Sequence, residues 1–168
     1  MVGLSADAYY SVGPINNEGP LPPLVDQKTS YTITWALSNS LNQITDAVVQ
    51  ATLPIYVSWE DVTSPDTETV RYNPTTRTVL WNVGTLNSGV GVAPDGVPRA
   101  ASFKVSVTPS ISQIGQALPL SSTVSFSGID SFTKQTLSVT HPAVSTKIAK
   151  DPQYRTGLES VRSGPPTP

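Results

Sequence analysis

Tyr31-Thr32-Ile33-Thr34-Trp35-Ala36-Leu37-Ser38 alternates large apolar and small polar residues without a break. Side chains alternate across a β-strand, so Tyr31, Ile33, Trp35 and Leu37 share one face. Thr32, Thr34 and Ser38 share the other, which predicts one buried and one wet face. The same period of two recurs twice downstream. Phe103, Val105 and Val107 alternate with Ser102, Lys104, Ser106 and Thr108, and Leu120, Ser122, Val124 and Phe126 alternate with Ser121, Thr123, Ser125 and Ser127. No stretch sustains a 3.6-residue period.

Strands with one wet face belong to antiparallel sheets rather than to parallel sheets buried on both sides. Further strands are expected at 47–53, 56–62, 70–72, 78–83, 132–140 and 143–148. Turn signals separate them at Ser40-Leu41-Asn42, Asn73-Pro74-Thr75-Thr76, Pro94-Asp95-Gly96 and Ser127-Gly128. Seven to nine short strands so punctuated predict an all-β, antiparallel β-sandwich. The 16 prolines favour an open sandwich over a closed barrel, because proline sits at edges and turns.

Composition narrows the function. The 168 residues are 38% hydrophobic and only 13% charged, with Ser, Thr and Asn standing where charge is usual. The formal net charge is −2 and no basic stripe exists, which argues against a nucleic-acid partner. The longest apolar runs are a few residues, too short to insert in a bilayer. The chain has no Cys, so no disulfide can form and no redox compartment can be read. Met1-Val2-Gly3 leads into Ala8-Tyr9-Tyr10 without the basic start and apolar core of a signal peptide, as expected of a fragment of an exported protein.

Three regions are expected. Residues 1–23 comprise a possible edge strand at Tyr9-Tyr10-Ser11-Val12 and a Pro/Gly-rich linker, Gly13 to Pro23. Residues 24–150 carry the sandwich. Residues 151–168 lack apolar alternation and close on Gly164-Pro165-Pro166-Thr167-Pro168, which reads as a linker or tail.

Few side chains suggest chemistry. His141 is the sole histidine, and with no Cys a zinc or iron site has no ligand set. No G-x-S-x-G elbow appears, so a Ser-His-Asp arrangement has no seat. Glu60, Asp61, Asp66 and Glu68 are the only cluster of carboxylates. They are weak candidates for calcium, whose usual acidic loop spacing is missing, and the expected reading is a solvated loop with no metal or cofactor. The long loop from Asn87 to Ala101, with Asp95 and Arg99, and the neighbouring Trp59 are the candidates for ligand contact. Trp35 and Trp81 are expected in the core with Tyr31, Ile33, Leu37, Phe103, Val105, Val107, Val124 and Phe126. A Lys–Asn or Lys–Asp crosslink would need a desolvated amine. Lys28 and Lys104 are the lysines considered, against Asn82 or Asp130, and Lys104 alternates with serines on the face expected to be wet.

Taken in order, several segments resemble a known family. These are Ser30-Tyr31-Thr32-Ile33-Thr34-Trp35, Asn39 and Asn42, Ala51-Thr52-Leu53-Pro54, Trp59, Val79-Leu80-Trp81-Asn82-Val83-Gly84-Thr85-Leu86, Gly89, and Phe103 through Pro109. Over residues 19 to 147 the chain resembles the conserved-repeat domain of bacterial and archaeal cell-surface proteins. Pro20 to Pro23, Pro109 to Gln113 and Gly128 to Phe132 resemble the uncharacterised branch found in predicted surface proteins of small-genome bacteria. The resemblance implies an immunoglobulin-like sandwich, export, and a place among neighbouring domains of a long extracellular protein. It implies a spacer role and no activity. The alternatives are an adhesin-type or glycan-binding module, which would take a cell-surface glycan or protein as partner, or a strand-donating fibre subunit.

Overall fold

The computed structural model describes residues 1–94 and 96–164. Nine strands run in the order β1 (Val2–Tyr9), β2 (Thr29–Asn39), β3 (Ile44–Thr52), β4 (Val57–Ser64), β5 (Thr69–Asn73), β6 (Thr78–Leu86), β7 (Arg99–Val107), β8 (Val124–Asp130) and β9 (Thr136–His141). One turn of 3₁₀ helix, Ile111–Gln113, is the only helical element among the described residues. No helix there is long and apolar enough to cross a membrane.

All pairings are antiparallel and form two sheets, β1-β2-β7-β4 and β5-β6-β3-β8-β9. The first reproduces the A-B-E-D order of an immunoglobulin constant domain, and β3-β8-β9 reproduces C-F-G. The β5–β6 hairpin extends the second sheet beyond β3. The fold is an immunoglobulin-like β-sandwich.

The alternation in β2 sets the first sheet's inner face. Tyr31, Ile33, Trp35 and Leu37 are fully buried, as are Phe103, Val105 and Val107 on β7. Trp35 meets Phe103 edge to face at 4.9 Å between ring centres, the arrangement the ring quadrupoles favour. Opposite them, register aligns Val70, Trp81, Val49, Phe126 and Val139 in one row across the five strands of the second sheet. Trp81, Val49, Phe126 and Val124 are buried in the core between the sheets.

Several segments depart from the sequence-based expectation. Gly13 to Pro23 does not run as a free linker. It lies as a strap across the outer face of the first sheet, where Asn17 bonds the Thr32 hydroxyl at 2.9 Å and the Glu18 amide bonds the Ser30 hydroxyl at 2.8 Å. Ile15 is buried beneath it, and Ser30 and Thr32 have no exposure, so this part of the outer face is dry. Short hydroxyls are suited to that role, since they satisfy a crossing backbone without holding it off the sheet.

The segment after Lys150, read from composition as a linker or tail, packs on the body as far as Arg162. Val161 and Asp151 are buried, and the Arg162 amide donates to the Pro23 carbonyl at 2.9 Å. Residues 165–168, read as part of the same tail, lie outside the described residues. Residues 143–148 contribute one isolated bridge, Pro119 to Ser145, rather than a strand. Phe132, placed by alternation in a strand, is 82% exposed at the tip of the β8–β9 hairpin. There the Asp130 carboxylate accepts the Phe132 and Thr133 amides and turns the chain, the local competition that lets Asp start turns.

Candidate functional site

Trp59, Glu60, Asp61, Asp66, Glu68 and Arg99 lie on or beside β4, the β4–β5 turn and the start of β7. Glu68, Glu60 and Asp61 each meet a protein partner of their own. Glu68, just before β5, has a side chain only 8% exposed and faces Arg99 at the start of β7 at 2.8 Å. The Arg99 Nε–H also donates to both oxygens of Glu68 at 3.1 Å. The remaining guanidinium donors reach the Thr85 and Val83 carbonyls of β6 at 2.7 and 2.9 Å, and the Trp81 indole N–H donates to Glu68 Oε2 at 3.2 Å. One acid and one base thus tie β5, β6 and β7 together, with their polar atoms satisfied internally. Planar bidentate pairing of this kind is what arginine supplies and lysine does not.

Glu60 on β4 points to the outer face of the first sheet. It pairs with Lys28 at 2.8 Å and accepts the Ser106 hydroxyl. Burial alone would raise its carboxyl pKa, but the bonds from Lys28 and Ser106 outweigh this and hold it below the usual range. The same bond raises the Lys28 ammonium above its ordinary value, which keeps it protonated and unreactive as a nucleophile. Asp61 adopts a left-handed backbone with φ 57° at the β4 bulge, within 3.4 Å of the Trp59 indole nitrogen. Asp66 is exposed in the β4–β5 turn. The four acids of the calcium candidate are therefore dispersed. Among the described residues no three His, Cys, Asp or Glu side chains come together to hold an ion.

Trp59 is half-buried rather than presented to solvent. Its ring stacks on Tyr72 of β5 at 5.4 Å and lies against Phe103 at 5.5 Å. Arg99, a candidate for ligand contact, is committed to Glu68, Thr85 and Val83. Asp95 lies outside the described residues. Lys104 is not solvated as its alternation with serines suggested: its side chain is 15% exposed, beside Glu18 of the strap at 3.6 Å. Neither Asn82, exposed on β6, nor Asp130 at the far end of β8 is on its sheet.

An open groove of about 630 Å³ crosses the outer face of the first sheet between the strap and loop 87–98. Thr34 and Ser102 form part of its lining, their hydroxyls 2.8 Å apart, with Pro14, Pro65 and Pro98 beside them. Sequence patterning did not point to this groove, because its walls come from Pro14, the β4–β5 turn and Val97–Pro98, segments far apart in the chain.

Two buried polar residues organise the ends of the sandwich, and neither was singled out for the role it plays. Asn39, fully buried, donates from its amide to the carbonyls of Asn42, Leu86 and Asn87 and accepts from the Leu41 amide. Its backbone bonds Val90 and Gly89, so one side chain fixes the root of the long loop. Asp151 accepts the Tyr10 and Ser11 amides at 2.8 and 2.7 Å, together with the Ser11 hydroxyl and the Gln153 amide. It clamps the end of the first strand to the C-terminal segment.

No protein-family model and no curated protein matches the sequence. Solved structures do resemble it. The major pilin subunit BcpA of Bacillus cereus superimposes with a TM-score of 0.50 at 12% identity, covering 86% of this chain and 40% of the pilin. Domains D2 and D3 of the major pilin SpaD from Corynebacterium diphtheriae give 0.45 at 14% identity over 77% of this chain and 51% of theirs. A GH20 exo-β-N-acetylglucosaminidase from Vibrio harveyi gives 0.42 at 9% identity, covering 84% of this chain and 17% of the enzyme. The likeness is one of fold. The chain spans less than half the length of the Bacillus pilin, and what it shares there is the immunoglobulin-like sandwich.

Proposed function

We propose that this chain is a non-catalytic structural module of an extracellular cell-surface protein, a spacer whose partners are the neighbouring domains of the same protein. The observation that carries the reading is where the chain enters and leaves. Met1 bonds Ser40 beyond the end of β2 that carries Asn39. Arg162 bonds Pro23 and Val25 beside the end that carries Thr29. The two poles lie about 35 Å apart, the length of an eleven-residue strand.

Both ends are fastened to the body, by β1 pairing along its whole length with β2, by Lys150 to Asp7 at 3.0 Å and by the Asp151 clamp. Pull applied along the chain is therefore carried through the sandwich. The likeness in fold to pilin domains and the resemblance to the conserved-repeat family accord with such a role. Small-angle scattering from one, two and three modules in tandem tests it. The maximum dimension should grow by about 35 Å or more per module; a globular, side-by-side increase would overturn the spacer reading.

The adhesin-type and glycan-binding readings receive less support, since Trp59 and Arg99 are engaged within the molecule. Strand donation by the Tyr9 segment is likewise disfavoured, because β1 pairs within its own chain.

A further inference from the structure

The outer face of β2 carries a row of small hydroxyl residues, Ser30, Thr32 and Thr34. The chain's own proline-bearing strap rests on part of that row. The Ser30 hydroxyl accepts the Glu18 amide and the Thr32 hydroxyl accepts the Asn17 side-chain amide. Thr34 comes next, in the floor of the open groove of about 630 Å³, which Pro14 of the strap helps to line. The groove thus continues a surface on which extended, proline-bearing chain is already seated.

The lining sets the chemistry of an occupant. Pro14, Pro65, Val97 and Pro98 offer apolar walls, and the ionised groups in reach, Glu68 and Arg99, are paired with each other. In the floor, the Thr34 and Ser102 hydroxyls share one bond of 2.8 Å and make no other among the described residues. Each hydroxyl carries one hydrogen, so the pair keeps one donor for a ligand. An uncharged segment with apolar rings, carbonyl acceptors and few N–H groups matches such a groove.

Pro165-Pro166-Thr167-Pro168, the chain beyond the described residues, has that chemistry. It has no charged side chain, and three of its four residues lack an N–H. It does not reach the groove of its own chain. Gly164 lies beside Gln27, ahead of β2, and Thr34 stands about 17 Å along β2 from Thr29. Four residues span at most about 14 Å. We infer that residues 165–168 of one copy dock in the groove of a second copy, with proline rings against the proline walls and a tail carbonyl accepting from the Thr34–Ser102 pair. The contact is heterologous, tail to groove, so it does not stop at two copies. It holds whether or not modules are joined in tandem and stands apart from the spacer reading.

Sedimentation velocity on the full chain, from micromolar to millimolar, should show a mass that rises with concentration above the monomer. Pro166→Glu charges the tail, and Val97→Glu, at a residue 82% exposed, charges the groove wall. Each variant should be a monomer with unchanged circular dichroism. Mixed, the two should form a dimer and nothing larger, because one keeps the intact groove and the other the intact tail. An acetylated and amidated peptide of residues 163–168 should disperse the wild-type association. In NMR of the labelled full chain it should shift the Ala100 and Ser102 amides, and Thr34→Val should weaken its binding several-fold. A wild-type monomer across the whole range overturns the proposal. So does association that survives either Glu variant, a mixture of the two that stays monomeric, or peptide shifts confined to another face.

Discussion

At the level of single residues, the three tryptophans separate by environment. Trp35 and Trp81 have no exposure, and Trp81 also supplies a donor to the Glu68–Arg99 pair. Replacing either by Ala removes a large buried aromatic and should destabilise the protein by about 3–5 kcal/mol in chemical denaturation. Trp59→Ala should cost less, because the ring is only half-buried at the rim. A buried polar residue of small volume also matters. Asn39→Ala leaves the Asn42, Leu86 and Asn87 carbonyls without their side-chain donor. It should cost about 1–3 kcal/mol, and amide exchange should quicken first at Gly89. The apolar alternation that marks Trp35 and Trp81 is visible in sequence because side chains on a strand point to its two faces in turn. Asn39 could be noticed only as a turn residue, since its several bonds come from segments far apart in the chain.

At the level of elements, alternation located most of the strands but misjudged what lies on their outer faces. Thr32 read as solvent-facing, whereas it and Ser30 are the polar floor on which the strap rests. Pro and Gly mark irregular backbone without saying whether it is free or fastened, and here glycine is what allows fastening. Gly19 has φ 99°, and a Cβ built on it would stand 2.1 Å from the Lys28 carbonyl oxygen. That oxygen is backbone and cannot yield as a flexible side chain would. Gly19→Ala should therefore lift the strap, breaking the bond from the Ser30 amide to the Glu18 carbonyl. Hydrogen exchange read residue by residue should show Ser30 opening several-fold faster, with β3 and β8 unchanged. Uniform acceleration throughout would mean that the strap is required for folding as a whole.

Across the whole molecule, the two segments whose composition resembles linkers are joined to each other by the bond from the Arg162 amide to the Pro23 carbonyl, and Asp151 ties the C-terminal one to the end of β1. Burial opposes the charge on Asp151, yet the Ser11 hydroxyl and the amides of Ser11, Gln153 and Tyr10 hold its pKa below the usual carboxylate range. A folded pKa below the unfolded one contributes stability that is full above about pH 4 and is lost as pH falls through the depressed value. The advantage of wild type over Asp151→Asn should accordingly shrink as pH is lowered from 5 to about 2, followed by urea titration at each pH. The clamp also decides what the C-terminal segment is worth. Removing residues 151–168 would take away the carboxylate that holds Tyr10 and Ser11, the buried Val161 and the backbone bonds of Arg162 to Pro23 and Val25. Burial of one valine is worth about 1.5–3 kcal/mol, and loss of the charged hydrogen bonds adds a comparable amount. For a chain of this size each kcal/mol moves the melting temperature by about 2–4 °C. Truncation after Lys150 should therefore lower it by about 10 °C, whereas a segment serving only as a linker would leave it unchanged.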